Sequence, residues 1–102
     1  MATYILLANF TDQGIRNVKE TTKRAAAFRE IAKKGGVTVK ELYWTVGQYD
    51  VVASLEAPDA ATVTAVVLST GALGNVRTQT LPAFSADEMQ AILGKMPLLP
   101  QS

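Results

Sequence analysis

The sequence predicts an α+β fold in which a four-stranded antiparallel sheet carries two helices on one of its faces. Three observations lead to this prediction: four β-branched and apolar runs, two longer segments with a helical repeat of apolar residues, and turn-forming residues between them. The 102 residues, 48% of them hydrophobic, are enough for one domain. We assign residues 1–96 to this domain and residues 97–102 to a C-terminal tail.

The first strand is predicted over residues 3–10, and it is apolar on both of its alternating faces. Tyr4 and Leu6 lie on one face, whereas Ile5 and Leu7 lie on the other. A strand that is apolar on both sides is normally covered on both sides. One layer of helices covers only one face of the sheet. Because the other face is also apolar, we expect a partner to cover it.

A helical period follows from about Asp12 to Lys34, and Gly35-Gly36 ends it with a residue expected to be left-handed. Thr11 or Asp12 is expected to cap its start. The β-branched pair Thr21-Thr22 predicts a bend or a break into two segments. The apolar or small residues that recur every three or four positions are Ile15, Val18, Thr22, Ala25, Phe28 and Ala32.

A β-hairpin is predicted next, with strands over Val37–Val46 and Asp50–Ala57 and a turn at Gly47-Gln48. Pro58-Asp59 opens a second helix from Ala60 to about Ser69, and the run Thr70–Gly74 breaks it. A fourth strand is predicted over Asn75–Leu81.

A last helix is predicted from the capping-box spacing Ser85-x-x-Glu88 to about Met96. Its apolar stripe is expected to dock the tail onto its own domain or onto a neighbour. The stripe consists of Met89, Ile92, Leu93 and Met96, followed by Leu98 and Leu99.

The resulting order, β-α-β-β-α-β with an extra C-terminal helix, is the ferredoxin-like pattern. The sheet face away from the helices should carry Ile5, Leu7 and either Trp44 or Val52, with nothing in the chain to cover them. An exposed apolar face of that size indicates a partner. We therefore expect a homo-oligomer, a dimer or a multiple of dimers, in which two sheets pack face to face as a dimeric α/β barrel.

Charge and composition exclude several classes of function. Ten basic and nine acidic residues give a net charge of +1, which argues against a nucleic-acid partner. The basic residues of positions 19–34 are spaced for ion pairs on a solvated helix face, Glu20–Arg24 and Glu30–Lys34. The alternative is that Lys23 and Arg24 close an anionic site near Thr21-Thr22.

Other absences narrow the chemistry further. The chain has no cysteine and no histidine, so we expect no disulfide, no metal site and no cofactor. No apolar run approaches the roughly 18 residues of a membrane span, and the N-terminal run has no basic n-region. The expected protein is cytoplasmic and has no membrane partner.

Three segments have the character of motifs: Tyr43–Val52, Gly74–Leu81 and Ala83–Glu88. The first contains Gly47-x-Tyr49-Asp50. With these segments the chain resembles the GYD-domain family, small bacterial and archaeal proteins named for the Gly-x-Tyr-Asp signature. The resemblance covers nearly the whole chain and implies no particular chemistry, because that family lacks a settled biochemical function.

The pair of segments Gly47–Asp50 and Val76–Thr80 is also similar to the effector-binding (RAM) domains of feast/famine regulators of the leucine-responsive type. That resemblance implies the same element order, pairing as α/β barrels, and a ligand pocket at a subunit interface near the hairpin, where those domains bind amino acids. From the residues given we expect no N-terminal helix-turn-helix. Direct regulation of DNA is therefore not implied.

Each residue singled out at these segments has a structural and a functional interpretation. Asp50 either accepts hydrogen bonds from backbone N–H groups of the hairpin, or anchors a ligand amine or hydroxyl or accepts a proton. Tyr49 is either a half-buried aromatic facing water or a partner, or a donor to a ligand oxygen. Arg77 forms an interface or surface ion pair, or binds a ligand carboxylate bidentately.

Four further residues complete the candidate set. Trp44 is expected to be a core or interface anchor. Thr78 and Thr80 alternate onto one face, where their hydroxyls would line a barrel interior, although β-propensity explains them equally well. Asn9 is another polar group for such a cavity. The candidate ligand-binding residues are Tyr49, Asp50, Arg77, Thr78, Thr80, Trp44 and Asn9.

The function predicted from these observations is an oligomeric small-molecule-binding domain, a sensor or a carrier, with a pocket near Gly47–Asp50 at a subunit interface. The first alternative is a cofactor-independent enzyme of the dimeric α/β barrel type, a monooxygenase or isomerase using Asp50, Tyr49 and Arg77. The second is a purely structural assembly unit. The absence of histidine lowers the expectation of an enzyme but does not remove it, because a buried Asp can serve as a base.

Overall fold

The structure, a computed structural model, describes residues 1–98 and has the predicted α+β, ferredoxin-like architecture. Its antiparallel strands lie in the order β2-β3-β1-β4. The strands are β1 (Ala2–Phe10), β2 (Thr38–Trp44), β3 (Val51–Ala57) and β4 (Val76–Ala83). The helices are α1 (Asp12–Arg16), α2 (Thr21–Lys34), α3 (Ala60–Ala72) and α4 (Ala86–Leu93). The predicted tail falls outside the described residues from Leu99 onward.

The core lies between one face of the sheet and the helices α2 and α3. Tyr4 and Leu6 of β1 are buried there, together with Phe28 of α2 and Val63 of α3. Leu55 of β3 has no exposed surface at all. The strand-face alternation predicted for β1 is therefore confirmed, since Ile5 and Leu7 remain only half-buried on the other face.

The predicted break in the first helical segment is present, immediately before Thr21. A short 3₁₀ turn, Val18–Glu20, separates α1 from α2. The break carries Ile15 and Val18 away from the buried face of α2, so these two members of the predicted apolar repeat are exposed, as is Thr22. At the other end of the segment, Gly36 adopts the expected left-handed conformation with φ of 85°.

The start of α1 is fastened to the loop that leads into β4. The Thr11 side chain caps α1 by accepting from the Gly14 N–H, and its hydroxyl donates to the Gly74 carbonyl at 2.6 Å. The Thr11 N–H donates to the Asn75 carbonyl at 3.1 Å. The packing is so close that a Cβ on Gly14 would lie 2.0 Å from the Asn75 oxygen.

Arg24 holds the other end of α1. Its guanidinium donates to the carbonyls of Asn17, at 2.7 Å, and Gly14, at 3.1 Å. The predicted ion pair between Glu20 and Arg24 is wrong, because Arg24 is turned toward these carbonyls. Glu20 instead pairs with Lys23 at 3.4 Å, on a solvated surface.

Several element boundaries differ from those predicted. The hairpin strands end at Trp44 and begin again at Val51, so the loop is longer than a Gly47-Gln48 turn. Helix α3 runs through Gly71 to Ala72. Strand β4 includes Pro82, which is tolerated because β4 is an edge strand.

Helix α4 extends away from the sheet and from helices α2 and α3. Its predicted capping box is present, since Ser85 and Glu88 exchange both hydrogen bonds. No residue of α4 is buried, and only Ile92 is half-buried. The described chain is consequently elongated, with principal extents of 57, 30 and 20 Å. The apolar stripe of α4 is not docked onto its own domain in the structure. Such docking was one of the two predicted outcomes.

Within residues 1–98, every helix is too short or too polar to span a lipid bilayer.

Gly14→Ala tests the close contact between α1 and the loop before β4. The added methyl group meets backbone rather than a flexible side chain, so the free energy of unfolding should fall by about 1–3 kcal/mol. The matched control is Gly71→Ala, because that α3 position faces open space and should gain about 0.5–1 kcal/mol of helix propensity. Urea unfolding measures both. Equal effects of the two substitutions would contradict the contact.

Acid titration tests the N-cap of α3. The side chain of Asp59 accepts from the Thr62 hydroxyl and N–H, and these bonds hold the pKa of Asp59 below its ordinary value of 3.8. A depressed folded-state pKa contributes stability that is present above 3.8 and lost as the pH falls through the folded value.

We therefore expect wild-type unfolding to become easier below this pH by a step that Asp59→Asn lacks, because Asn caps the helix without titrating. Urea unfolding at a series of pH values measures the difference. Parallel stability profiles for the two proteins would refute the assignment.

Candidate functional site

The sheet face opposite α2 and α3, here called the open face, carries an apolar strip. The strip is formed by side chains of three adjacent strands. Leu7 lies beside Val52 of β3, and Ile5 lies beside Leu81 of β4. Leu81 is 45% exposed, and the other three are half-buried. Val52, rather than Trp44, therefore completes the face predicted to need a partner.

One end of the open face is polar. Asn9 of β1 lies directly opposite Arg77 of β4. The Tyr49 hydroxyl donates to Gln79 Oε1 at 3.2 Å. Because β1 lies between β3 and β4, the Tyr49 side chain must reach across β1 to make this bond. Three predicted site residues, Tyr49, Arg77 and Asn9, are thus brought to the same end of one face.

Asp50 joins the hairpin to β1. Its N–H donates to the Ala8 carbonyl at 2.9 Å, and its Oδ2 accepts from the Phe10 N–H at the same distance. The carboxylate thereby acts as a backbone acceptor at the end of the β1–β3 ladder. The structural interpretation of Asp50 is supported, but the donor belongs to β1 and not to the hairpin.

The open face also holds a polar pair that the sequence reasoning missed. The Tyr43 hydroxyl donates to the Glu41 carboxylate, two residues earlier on β2. This hydrogen bond, and then the negative charge of Glu41, raise the pKa of Tyr43 above 10.0. Both contacts favour the protonated hydroxyl, which is the form that donates this hydrogen bond. The available signal was the i,i+2 spacing, which places both side chains on one strand face.

The remaining predicted site residues lie on the other side of the sheet. The Trp44 indole Nε1 donates to the Thr21 hydroxyl at 2.9 Å, which holds the ring against the start of α2. Thr78 and Thr80 lie beside Ala8 and Leu6, and so turn toward the helices rather than toward the interior of a face-to-face barrel. The seven predicted residues thus do not form one site, because side chains alternate along a strand.

Comparison with known proteins gives consistent matches. The sequence model of the GYD domain family matches residues 4–93 of this chain. The "Glutamine synthetase and cystathionine beta-lyase binding protein" of Thermus thermophilus is 35% identical over 94 residues, covering 91% of this chain and 99% of that protein.

Two solved structures have the same fold. The structure of TTHA0845 from Thermus thermophilus matches with a TM-score of 0.55 and 30% identity, covering 84% of this chain and 96% of its own. The structure of FFRP-DM1 matches with a TM-score of 0.56 and 22% identity, covering 82% of this chain and all of its own. At 22% identity, the second likeness concerns the fold alone.

Asp50→Ala tests the role of Asp50 at the strand end. The substitution leaves the Phe10 N–H without its acceptor, so the free energy of unfolding should fall by about 1–3 kcal/mol. The control is Tyr49→Phe, which removes only an exposed hydrogen bond and should cost less than about 0.5 kcal/mol. Urea unfolding measures both, and hydrogen exchange of the Phe10 amide reports the bond itself. Unchanged protection of that amide in Asp50→Ala would contradict this role.

Proposed function

We propose that this chain, which belongs to the GYD domain family, is a binding domain that attaches to other proteins through the open face of its sheet. The observation that carries the proposal is the apolar strip of that face, which no other element of residues 1–98 covers. Apolar patches rimmed by polar groups are typical of protein interfaces. The rim here includes Tyr43 and Arg77.

The relative in Thermus thermophilus supplies the class of partner. That relative is named for binding glutamine synthetase and cystathionine beta-lyase, and it aligns with this chain over 99% of its own length. We propose an enzyme of the same kind as the partner of this chain. The encounter would take place in the cytoplasm, as the sequence predicts.

Self-association belongs to the same proposal. A second copy of the chain can cover the apolar strip with its own, in the face-to-face arrangement predicted from the sequence. Helix α4 and the residues after it, up to Met96, form an arm that extends away from the sheet. This arm supports self-association, because Met89, Leu93 and Met96 are exposed on it. The arm would then pack on the neighbouring copy.

A small-molecule ligand is the second candidate, and the polar end of the open face favours it. Asn9 and Arg77 lie side by side there, next to the bond between Tyr49 and Gln79. A guanidinium of this kind can bind a carboxylate bidentately. A sensor or carrier would hold such a ligand between two copies. The enzyme alternative gains no support from Asp50, whose Oδ2 is occupied by a backbone N–H.

Leu81→Lys tests the protein-binding surface. A lysine in the apolar strip would be desolvated without a partner, so association should weaken by about tenfold or more. The matched control is Leu68→Lys on α3, where the leucine is 68% exposed on the helix side of the domain. Sedimentation velocity measures self-association. Biolayer interferometry measures binding to purified glutamine synthetase and cystathionine beta-lyase from the organism that encodes this chain.

The two measurements separate the parts of the proposal. Weakened enzyme binding in Leu81→Lys, with binding retained in Leu68→Lys, is the expected result. Equal behaviour of the two variants would show that the open face is not the interface. A monomeric wild-type protein that binds neither enzyme would overturn the proposed function.

A further inference from the structure

A second apolar surface lies on the helix side of the sheet, away from the open face. It is a groove, here called the helix-side groove, between the sheet, helix α2 and the end of α3. The groove is open to solvent and exposes almost only apolar atoms. Two large side chains that line it remain accessible, since Trp44 is 43% exposed and Leu73 is 60% exposed. An accessible tryptophan of this kind is typical of the centre of a protein contact.

The arm of this chain is an amphipathic helix of the type that apolar grooves bind. Its apolar stripe is spaced by three and four positions, so Met89, Ile92, Leu93 and Met96 lie on one side of the helix. Three of these side chains are exposed and Ile92 is half-buried. Isolated helices shorter than about 12 residues are marginal in water. Helix α4 has 8 residues, so packing of its stripe in a groove would stabilise it.

The register of β4 explains why the arm does not lie in the groove of its own chain. Val76, at the start of β4, lines the groove at the end of the sheet where β1 finishes. Ala83 lies at the opposite end, about 23 Å away at roughly 3.3 Å per residue. Only Phe84 and Ser85 then precede α4, and the arm continues away from the sheet. A second copy of the chain can bring an arm and a groove together.

Charge favours the same pairing. Residues 12–34, which contain α1 and α2, include seven basic and three acidic residues, a net charge of +4. Helix α4 has two acidic residues, Asp87 and Glu88, and no basic one. Because α2 forms one wall of the groove, an arm that enters it approaches a surface of opposite charge. Such complementarity favours encounter between the two surfaces.

We propose that the arm of one copy docks in the helix-side groove of a second copy, with the apolar stripe of α4 against Trp44 and Leu73. This inference rests on the self-association part of the proposed function and names the surface that receives the arm. The groove and the open face lie on opposite sides of the sheet, so the arm contact is additional to the face-to-face contact. It joins two different surfaces, so the assembly closes when two copies exchange arms or when a ring forms.

Cross-linking of the full chain tests the contact directly, because the chain has no cysteine of its own. One variant carries Leu93→Cys on the arm, and a ¹⁵N-labelled variant carries Ala27→Cys at an exposed position that lines the groove. The two are mixed with a short bismaleimide linker, and mass spectrometry identifies the mixed dimer. The matched control is Ala26→Cys, because Ala26 is exposed beside Ala27 but does not line the groove. We expect about tenfold less mixed dimer from the control.

Sedimentation velocity supplies the second measurement. Leu93→Lys should weaken self-association by about tenfold, because the lysine would be desolvated in the groove. The matched control is Ala91→Lys, which adds the same charge on the opposite side of α4 and should leave self-association nearly unchanged.

Four results would overturn this inference. The first is equal linking of Ala26→Cys and Ala27→Cys to the arm, and the second is equal self-association of Leu93→Lys and Ala91→Lys. The third is a link that forms only within a single chain carrying both Ala27→Cys and Leu93→Cys, which would place the arm in its own groove. The fourth is loss of enzyme binding in Ala27→Lys without any link between copies, which would assign the groove to the enzyme.

The variant Leu81→Lys separates this inference from the proposed function. If Leu81→Lys weakens association and no link forms between arm and groove, the open face is an interface and the inference fails. If the link forms and Leu81→Lys behaves like Leu68→Lys, the arm docks in the groove and the open face is not the interface.

Discussion

The structure depends on the pairing of β1 along both of its edges. Strand β1 lies between β3 and β4 and pairs with both of them. Two further contacts hold the C-terminal end of β1. The Phe10 N–H meets the Asp50 carboxylate, which joins β1 to the hairpin. The next N–H, that of Thr11, meets the Asn75 carbonyl, which joins it to the start of β4. Consecutive residues thus fasten β1 to both neighbours.

This arrangement gives a physical reason for the aspartate of the Gly-x-Tyr-Asp signature to be structural. The Asp50 carboxylate accepts from the Phe10 N–H beyond the last paired residues of β1 and β3. A charged acceptor makes a strong hydrogen bond. Tyr49, the preceding residue, is then directed across β1 toward Gln79. The aspartate therefore sets the position from which the tyrosine reaches the open face.

The sheet divides the molecule into two surfaces with different chemistry. On the helix side, Trp44 and Leu73 line the apolar helix-side groove. On the open face, an apolar strip and a polar end lie uncovered by residues 1–98, while α4 projects away with an exposed apolar side. The open face and α4 both expose apolar side chains that nothing in residues 1–98 covers. Exposed apolar surface of this kind is expected of a protein that associates with a partner.

Local sequence was enough to define the element order, the two-faced character of β1, the end of α2 at Gly35-Gly36 and the capping box at Ser85. These features follow from periodicity and from backbone preferences, which short stretches of sequence carry in full. The side of the sheet that each candidate residue occupies became clear from the three-dimensional arrangement alone. Three features place Trp44 and Thr78 toward the helices and Arg77 on the open face: the shift in the β2–β3 register between Val39 and Glu41, the loop of the hairpin, and the register of β4 against β1. A shift of one residue in any of these pairings would exchange the two faces, and no local signal fixes such long-range pairing.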